Sequence, residues 1–440
     1  MRPPSAIKPS ISFGAPDGMD LLPPPAARPA LAFAAPPVPP IMPRSLSSSA
    51  GPHSCCSEDI ADAFAAIPPY KWDRVAAALR SNGGVATVDF LPASVCSLHA
   101  AAFATARGAL DAVAEVGGSG SSGGGRIRRI GPGDDSARAT GYHAAGSDGS
   151  SLSRYNRHRE GFVFSDGQMF DVPPSDPGIP SPFREDMLRL FQSMHDGIAL
   201  EVLRAVARDL GLEDEAWFES ALGPSGSSSQ WHVKRFTEPE EAGSGSGSGS
   251  GADGDGDGDS AVPGSSGEGY EWLPVHTDPS LVSIVLHDVP GANEGGMGLQ
   301  CQHQAAPGTR AGPREWREVP LHGHAVATVL VGSVLSYITG GLFPGARHRV
   351  VYRPALPRSR MAATLFLRPR GDAALSVPPS ALLTGGGGGG GGGVRVRRTT
   401  FDAWIARVSK NYMRQKKKKN RKEEGGEGTD LRHESTNRQV

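Results

Sequence analysis

Between Tyr270 and Pro369 the chain breaks into short β-branched and apolar segments separated by Pro, Gly, Asn and Asp, and no other feature constrains its fold as much. Strands are expected at Trp272 to His276, Leu281 to Leu286, Gly298 to His303, Trp316 to Val319, Ala325 to Leu330, Val334 to Ile338, His348 to Arg353 and Met361 to Leu367. Short strands at this spacing build a sandwich or jelly roll.

Upstream, helical periods replace this rhythm. Asp73 to Arg80 reads as a short helix, Asn82-Gly83-Gly84 as a turn and Val85 to Phe90 as a strand. A longer helix starts near Pro92 and carries Val95, Leu98, Ala102, Ala106, Leu110 and Val113 to a stop at Gly117-Gly118. Another starts at the cap-like pair Ser181-Pro182. It places Met187, Phe191, Met194, Ile198, Val202, Ala205 and Leu210 on one packing stripe before Gly211 closes it. The fold class is therefore mainly β with helices (α+β), a jelly-roll core buttressed by N-terminal helices.

Composition limits how much of the chain takes part. With 59 Gly and 38 Pro in 440 residues and hydrophobics at 38%, a folded body with disordered additions fits best. The expected plan is a disordered tail over 1–69, a helical part over 70–241 and a Gly/Ser/Asp insert over 242–269. The jelly-roll core follows over 270–370, then a Gly-rich and basic tail over 371–440. Asp253, Asp255, Asp257 and Asp259 alternate with glycine in the insert, but an EF-hand loop starting there would have Gly264 where a bidentate Glu is needed. The insert reads as a solvated acidic linker. Near Phe401 to Val408 a short helix is expected after the glycine run Gly385 to Gly393.

Forty-five Lys and Arg balance 46 Asp and Glu, so no overall basic field exists to hold nucleic acid. Four cysteines, Cys55, Cys56, Cys96 and Cys301, show neither a zinc spacing nor a disulfide frame, which points to a reducing compartment. The apolar stretch Ala325 to Ile338 is too short and too interrupted to span a bilayer. The expectation is a soluble monomer without membrane or specific nucleic-acid partners. Cytoplasmic residence is the default, with nuclear import through Lys416 to Lys419 or organellar targeting by the N-terminus as alternatives.

His276-Thr277-Asp278 ends one expected strand. With 13 His and 46 acidic residues such a triplet arises by chance roughly once, so its weight comes from context. The context is His348, heading a later strand, and Arg360 beside the next. Two imidazoles and one carboxylate with the remaining positions open is the ligand set of non-haem Fe(II) oxygenases, Zn(II) being the chemical competitor. His322-Gly323-His324 precedes a strand and reads as a turn. Arg347 and Arg349, flanking His348, are expected on the opposite face, and Cys301 as a buried small hydrophobe.

Six motifs then stand in a recognisable order. They are His276-Thr277-Asp278-Pro279-Ser280, Gly295-Gly296-Met297-Gly298-Leu299-Gln300, Trp316-Arg317-Glu318-Val319-Pro320, Gly332-Ser333-Val334-Leu335, His348-Arg349-Val350-Val351, and Arg360 through Leu365-Phe366-Leu367-Arg368-Pro369. Their order resembles that of plant-type Fe(II)/2-oxoglutarate-dependent dioxygenases, the isopenicillin N synthase-like group. Arg159-Glu160-Gly161-Phe162 and the helix ending at Leu210-Gly211-Leu212 resemble the family's helical part more faintly. The resemblance implies a double-stranded β-helix, iron ligation by His276, Asp278 and His348, and Arg360 paired with the distal carboxylate of 2-oxoglutarate. Arg358 is a rival for that role. It also implies O2-dependent hydroxylation or desaturation of a small organic substrate, with release of succinate and CO2.

Two departures from the family pattern bear on the co-substrate. Ala362 replaces the serine expected two residues after the arginine, with Thr364 on the same face as a candidate substitute. Lys234-Arg235-Phe236 stands where the family has Asn-Tyr-Tyr, without a tyrosine hydroxyl. The alternatives are an iron oxidase of the same group that consumes no 2-oxoglutarate, and a catalytically inactive jelly-roll binding protein.

Overall fold

The computed structural model describes residues 71–88, 93–116, 141–145, 158–165, 181–222, 228–237, 270–288, 298–303, 315–320, 326–352, 359–384, 393–411 and 414. Residues 1–70, the 242–269 insert and Lys416 to Lys419 lie outside the described residues.

Helix α1 (Trp72–Ser81) buries Val75, Ala76 and Leu79 along one face, and a turn through Gly83 and Gly84, both at positive φ, leads into β1 (Val85–Val88). Helix α2 (Ala93–Val116) buries Ala102, Phe103, Ala106, Ala109 and Leu110. Strands β2 (Gly141–His143) and β3 (Arg159–Ser165) come next. Helix α3 (Ser181–Met194) passes through a π-helical turn at His195–Ala199 into α4 (Leu200–Asp209). The wider π turn keeps Met194, Ile198 and Val202 on one stripe although consecutive spacings of four would drift around a regular helix, and Gly211 at φ 67° ends the run.

Strand β4 (Gln230–Thr237) precedes the expected β region, where β5 (Tyr270–His276), β6 (Val282–His287), β7 (Leu299–His303), β8 (Glu315–Glu318) and β9 (Ala327–Val331) follow the sequence rhythm. One expectation fails. Val334 to Ile338 is helical, forming α5 (Ser333–Ile338), where a strand was expected from its Val, Tyr and Ile content. Leu335 and Ile338 share a face at helical spacing, Val334 packs beside them, and Gly340 and Gly341 at positive φ terminate the turn. Tertiary packing overrides the β propensity. The core closes with β10 (His348–Tyr352) and β11 (Ser359–Leu367).

These strands form two antiparallel sheets in the order β1-β9-β6-β11-β4-β3-β2 and β5-β10-β7-β8. The α+β jelly roll is thus present. Helices cover one face of the larger sheet with a continuous apolar core, including Phe162, Trp231, Ile284, Met361 and Leu365. A smaller apolar cluster, with Trp272, Val285, Leu299, Val350 and Ala362, lies between the sheets.

Packing also runs past residue 370. Ala374–Leu375 pairs with Thr399–Thr400, and the helix α6 over residues 401–411 buries Phe401 and Trp404 in the main core with Leu375 and Leu383. The helix expected near Phe401 to Val408 is thus present. Among the described residues no helix is long and apolar enough to cross a membrane.

Candidate active site

The register of β5 and β10 pairs His276 directly with His348 across the smaller sheet, which brings together residues far apart in the chain. Their rings lie 4.2 Å apart, centroid to centroid. Each Nδ1–H donates to a backbone carbonyl two residues earlier, His276 to Pro274 at 2.8 Å and His348 to Ala346 at 3.0 Å. That fixes both tautomers and turns each Nε2 lone pair toward Asp278.

Asp278 sits beyond the end of β5, so strand alternation is not what aims it. The N-terminus of α5 holds it: the Asp278 carbonyl accepts the Ser333 backbone N–H at 2.7 Å and the Ser333 hydroxyl at 3.0 Å. Gly332 makes this approach possible, because a Cβ there would lie 1.9 Å from the Ser280 carbonyl oxygen. The Asp278 carboxylate meets His276 Nε2 at 3.4 Å and His348 Nε2 at 3.8 Å, and one ligand atom from each residue falls within 4.8 Å of the others.

Burial opposes ionisation of Asp278, yet His348 and His276 outweigh it and hold the carboxyl below the usual carboxylate range. Burial, with His276 beside it, pushes His348 down to about 4. An ionised acid next to a neutral imidazole is the protonation pattern a divalent cation requires.

A cavity of about 690 Å³ opens from this triad between the sheets and reaches Ile405 and Val408 of α6. Arg360 lines it and is buried to 2% exposure. Its Nη1 donates to His287 Nδ1 at 3.2 Å, its guanidinium lies over Phe236 and Trp272 at 4.6 and 5.4 Å, and its Nε has no partner. Among the described residues no carboxylate pairs with it. Burial lowers its pKa to about 9. Ala362 and Thr364 follow on the same face of β11, both lining the cavity.

Residues 265–369 match the family model of the 2OG-Fe(II) oxygenase superfamily. That segment is a 2OG-Fe(II) oxygenase domain. The protein is accordingly an oxidoreductase of the non-haem iron dioxygenase type, with Fe(II) and 2-oxoglutarate as its cofactors. The fold is similar to that of a full-length Neurospora crassa protein solved in complex with alpha-KG and thymine (TM-score 0.52, 15% identity, 81% of this chain and 99% of that one). It is also similar to JOX2 in complex with 2OG, Fe and JA (TM-score 0.52, 16% identity, 78% and 84%). A comparison with curated proteins finds no match.

The donor set of the oxygenase domain fits the expected metal: two imidazole nitrogens and one carboxylate, all converging on the cavity. Other residues singled out from the sequence fall elsewhere. Arg349 turns away from the cavity, donating to Gln300 at 2.8 Å and Glu271 at 3.1 Å beneath the Trp316 ring, and Arg347 donates to Gln302 at 3.1 Å. Cys301 is buried beside His348 in the sheet, and burial, with Asp278 nearby, pushes its thiol up, out of nucleophilic range. Arg358, His322 and His324 lie outside the described residues.

Sequence reasoning missed His287 as the partner of Arg360, and it missed β4 as a strand. On β4, charged residues stand on both faces, so the alternation that marks a half-buried strand is not visible in Gln230 to Thr237.

Proposed function

We propose that His276, Asp278 and His348 hold the Fe(II) of the oxygenase domain and that Arg360 anchors the distal carboxylate of 2-oxoglutarate. The observation that carries this reading is the Arg360 guanidinium, buried in the cavity with an unpaired Nε and only a neutral imidazole as hydrogen-bond partner. A buried cation in that state costs several kcal/mol unless an anion joins it, and its planar fork matches a carboxylate in two parallel hydrogen bonds. His287 accepts from one arm of the fork and so sets its orientation. Phe236 and Trp272 stack on its faces and exclude water without supplying a competing acceptor. Thr364 offers a hydroxyl on the same face, where Ala362 offers none.

When bound, iron with 2-oxoglutarate and O2 supplies the oxidising chemistry, releasing succinate and CO2 as a small organic substrate is hydroxylated or desaturated. The chain's own part is placement. Ionised Asp278 and His348, held neutral by burial, accept the metal without first losing protons, and the apolar walls at Val285, Leu299 and Val350 keep water from the reacting centre.

Anaerobic addition of Fe(II) and 2-oxoglutarate to the full-length protein tests the reading. A weak visible charge-transfer band is expected, lost in Asp278→Ala together with bound iron, and in Arg360→Ala with iron retained and 2-oxoglutarate affinity lowered. Iron binding without the band would favour the oxidase that uses no 2-oxoglutarate. Full retention of iron by Asp278→Ala would sink the proposed triad.

A further inference from the structure

The cavity side of β11 carries a guanidinium at each end. At one end Arg360 donates to His287, the residue that Ala362 faces in the register with β6. At the other, Arg368 follows Leu367, whose carbonyl accepts the Leu281 N–H at 2.8 Å. Asp278 stands just ahead of Leu281 in the chain, so the triad lies at the Arg368 end. The charges agree: Asp278 acts on Arg368, whereas the acid that acts on Arg360 is Glu318.

Both guanidiniums are held in the same unfinished way. Arg368 is 7% exposed, its Nη1 donates to Gln230 Oε1 at 2.8 Å, and its Nε has no partner. Ser229 pins its backbone, accepting the Arg368 N–H at 3.0 Å and donating to the Arg368 carbonyl at 3.3 Å. The guanidinium lies 5.4 Å from the Phe366 ring centroid. Among the described residues no carboxylate forms an ion pair with it. Gln230 is a neutral partner, as His287 is for Arg360. Burial lowers Arg368 only to about 10, so it is charged at neutral pH, whereas burial takes Lys234 well below its ordinary value.

One 2-oxoglutarate cannot complete both ends. Its distal carboxylate belongs to Arg360 and its other end to the metal, which also takes up Asp278. Arg368 then faces the cavity as a buried cation that lacks an anion.

Helix α6 supplies the rest of this end. The Phe401 N–H donates to the Ala373 carbonyl at 3.0 Å and the Asp402 N–H to Gly371 at 2.9 Å, which starts the helix just beyond Arg368. Phe401 and Trp404 enter the core, while Ile405 and Val408 line the cavity, Val408 with 41% of its surface exposed.

We infer that Arg368, oriented by Gln230, binds a carboxylate on the oxidised substrate at the metal end of the cavity, with the substrate's apolar body against Ile405 and Val408. A single guanidinium with one arm already engaged matches a monoanion rather than a phosphate dianion. The inference rests on the reading of Arg360 as the co-substrate anchor, since otherwise 2-oxoglutarate itself competes for Arg368.

4-Phenylbutanoate, 4-phenylbutanamide and 4-phenylbutyl phosphate serve as probes, their binding to the full-length protein measured by calorimetry without oxygen, with and without Fe(II) and 2-oxoglutarate. The acid is expected to bind about tenfold or more tighter than the amide, as a charge-assisted hydrogen bond requires, and to shift the visible charge-transfer band because it sits beside the metal. Arg368→Met should reduce that preference to about twofold or less while changing 2-oxoglutarate affinity by no more than about twofold. Arg368→Lys, which keeps the charge, should retain a preference for the acid, and this separates lost recognition from a packing defect. Equal binding of acid and amide by the wild type overturns the inference whether or not the variants fold. So does an undiminished preference in Arg368→Met, a stronger preference for the phosphate, or a loss of 2-oxoglutarate affinity in Arg368→Met. A protein that binds neither iron nor 2-oxoglutarate, yet shows an acid preference that depends on Arg368, sinks the earlier reading and leaves the receptor standing.

Discussion

The two faces of β11 are built to opposite rules. Met361, Ala363, Leu365 and Leu367 point into the helix-covered core, while Arg360, Ala362, Thr364, Phe366 and Arg368 continue along the cavity side. The first side is wholly apolar, and the other buries two guanidiniums with unpaired Nε atoms. The contrast teaches that one nine-residue strand separates apolar packing from buried, incompletely paired charge, and under the proposed function the second face is the one that binds ligand. A face optimised for folding alone would not carry buried charge without a counterion.

The sharpest way to break this contrast is to exchange the faces' chemistry. Leu365→Ala should destabilise the protein by about 2–5 kcal/mol in denaturant titration, yet leave 2-oxoglutarate affinity per folded molecule unchanged. Arg360→Met should do the reverse, raising the dissociation constant of 2-oxoglutarate by about 10- to 100-fold while metal-free stability holds or rises by about 1–4 kcal/mol. If Arg360→Met unfolds the protein, the division between the faces is wrong.

Next in size is Gly332→Ala, which forces a methyl group into the Ser280 carbonyl and shifts the α5 clasp on Asp278. A loss of about 1–3 kcal/mol is expected, with weaker iron binding by metal-competition titration. Unchanged iron affinity would show that the clasp does not position Asp278.

A smaller effect follows from His287. Burial, then Arg360 and His99, keeps it well below its ordinary value, so it stays neutral as the acceptor for Arg360. Because the folded-state pKa is depressed, the unfolded chain takes up the proton first. The stability contributed is complete above about pH 6.5 and is lost as pH falls below it. Between pH 7 and 5, wild type should therefore lose more stability than His287→Gln, and equal slopes would remove this role. Smallest of all, Thr364→Val should weaken 2-oxoglutarate binding by about 0.5–1.5 kcal/mol if the hydroxyl reaches the co-substrate. No change would confine Thr364 to lining the wall.

How much of this was legible in the sequence differed by element. Segments whose two faces differ in polarity announced themselves. β5, β6, β7 and β9 did so through apolar spacing, and α3 with α4 through one stripe. β4 did not, because Arg235 on its packed face is neutralised by Asp111 of α2 and Glu160 of β3, partners remote in sequence. Nor did α5, whose helical state depends on the Gly332 approach to Ser280 and on Ser333 binding the Asp278 carbonyl. The triad was legible as residue types in order. That the Arg360 fork is backed by His287 was not, since the link is made by strand register rather than by spacing.

Local chemistry along the chain therefore determined the strand rhythm, the helical stripes and the choice of His276, Asp278 and His348 as candidate ligands, because each depends on residue types and their near neighbours. Only the tertiary structure decided which charges meet a counterion and which face an open cavity. The reason is that desolvation acts on a group through everything packed around it, and Lys234, Arg235, Arg360 and Arg368 are indistinguishable as cations until their surroundings are assembled.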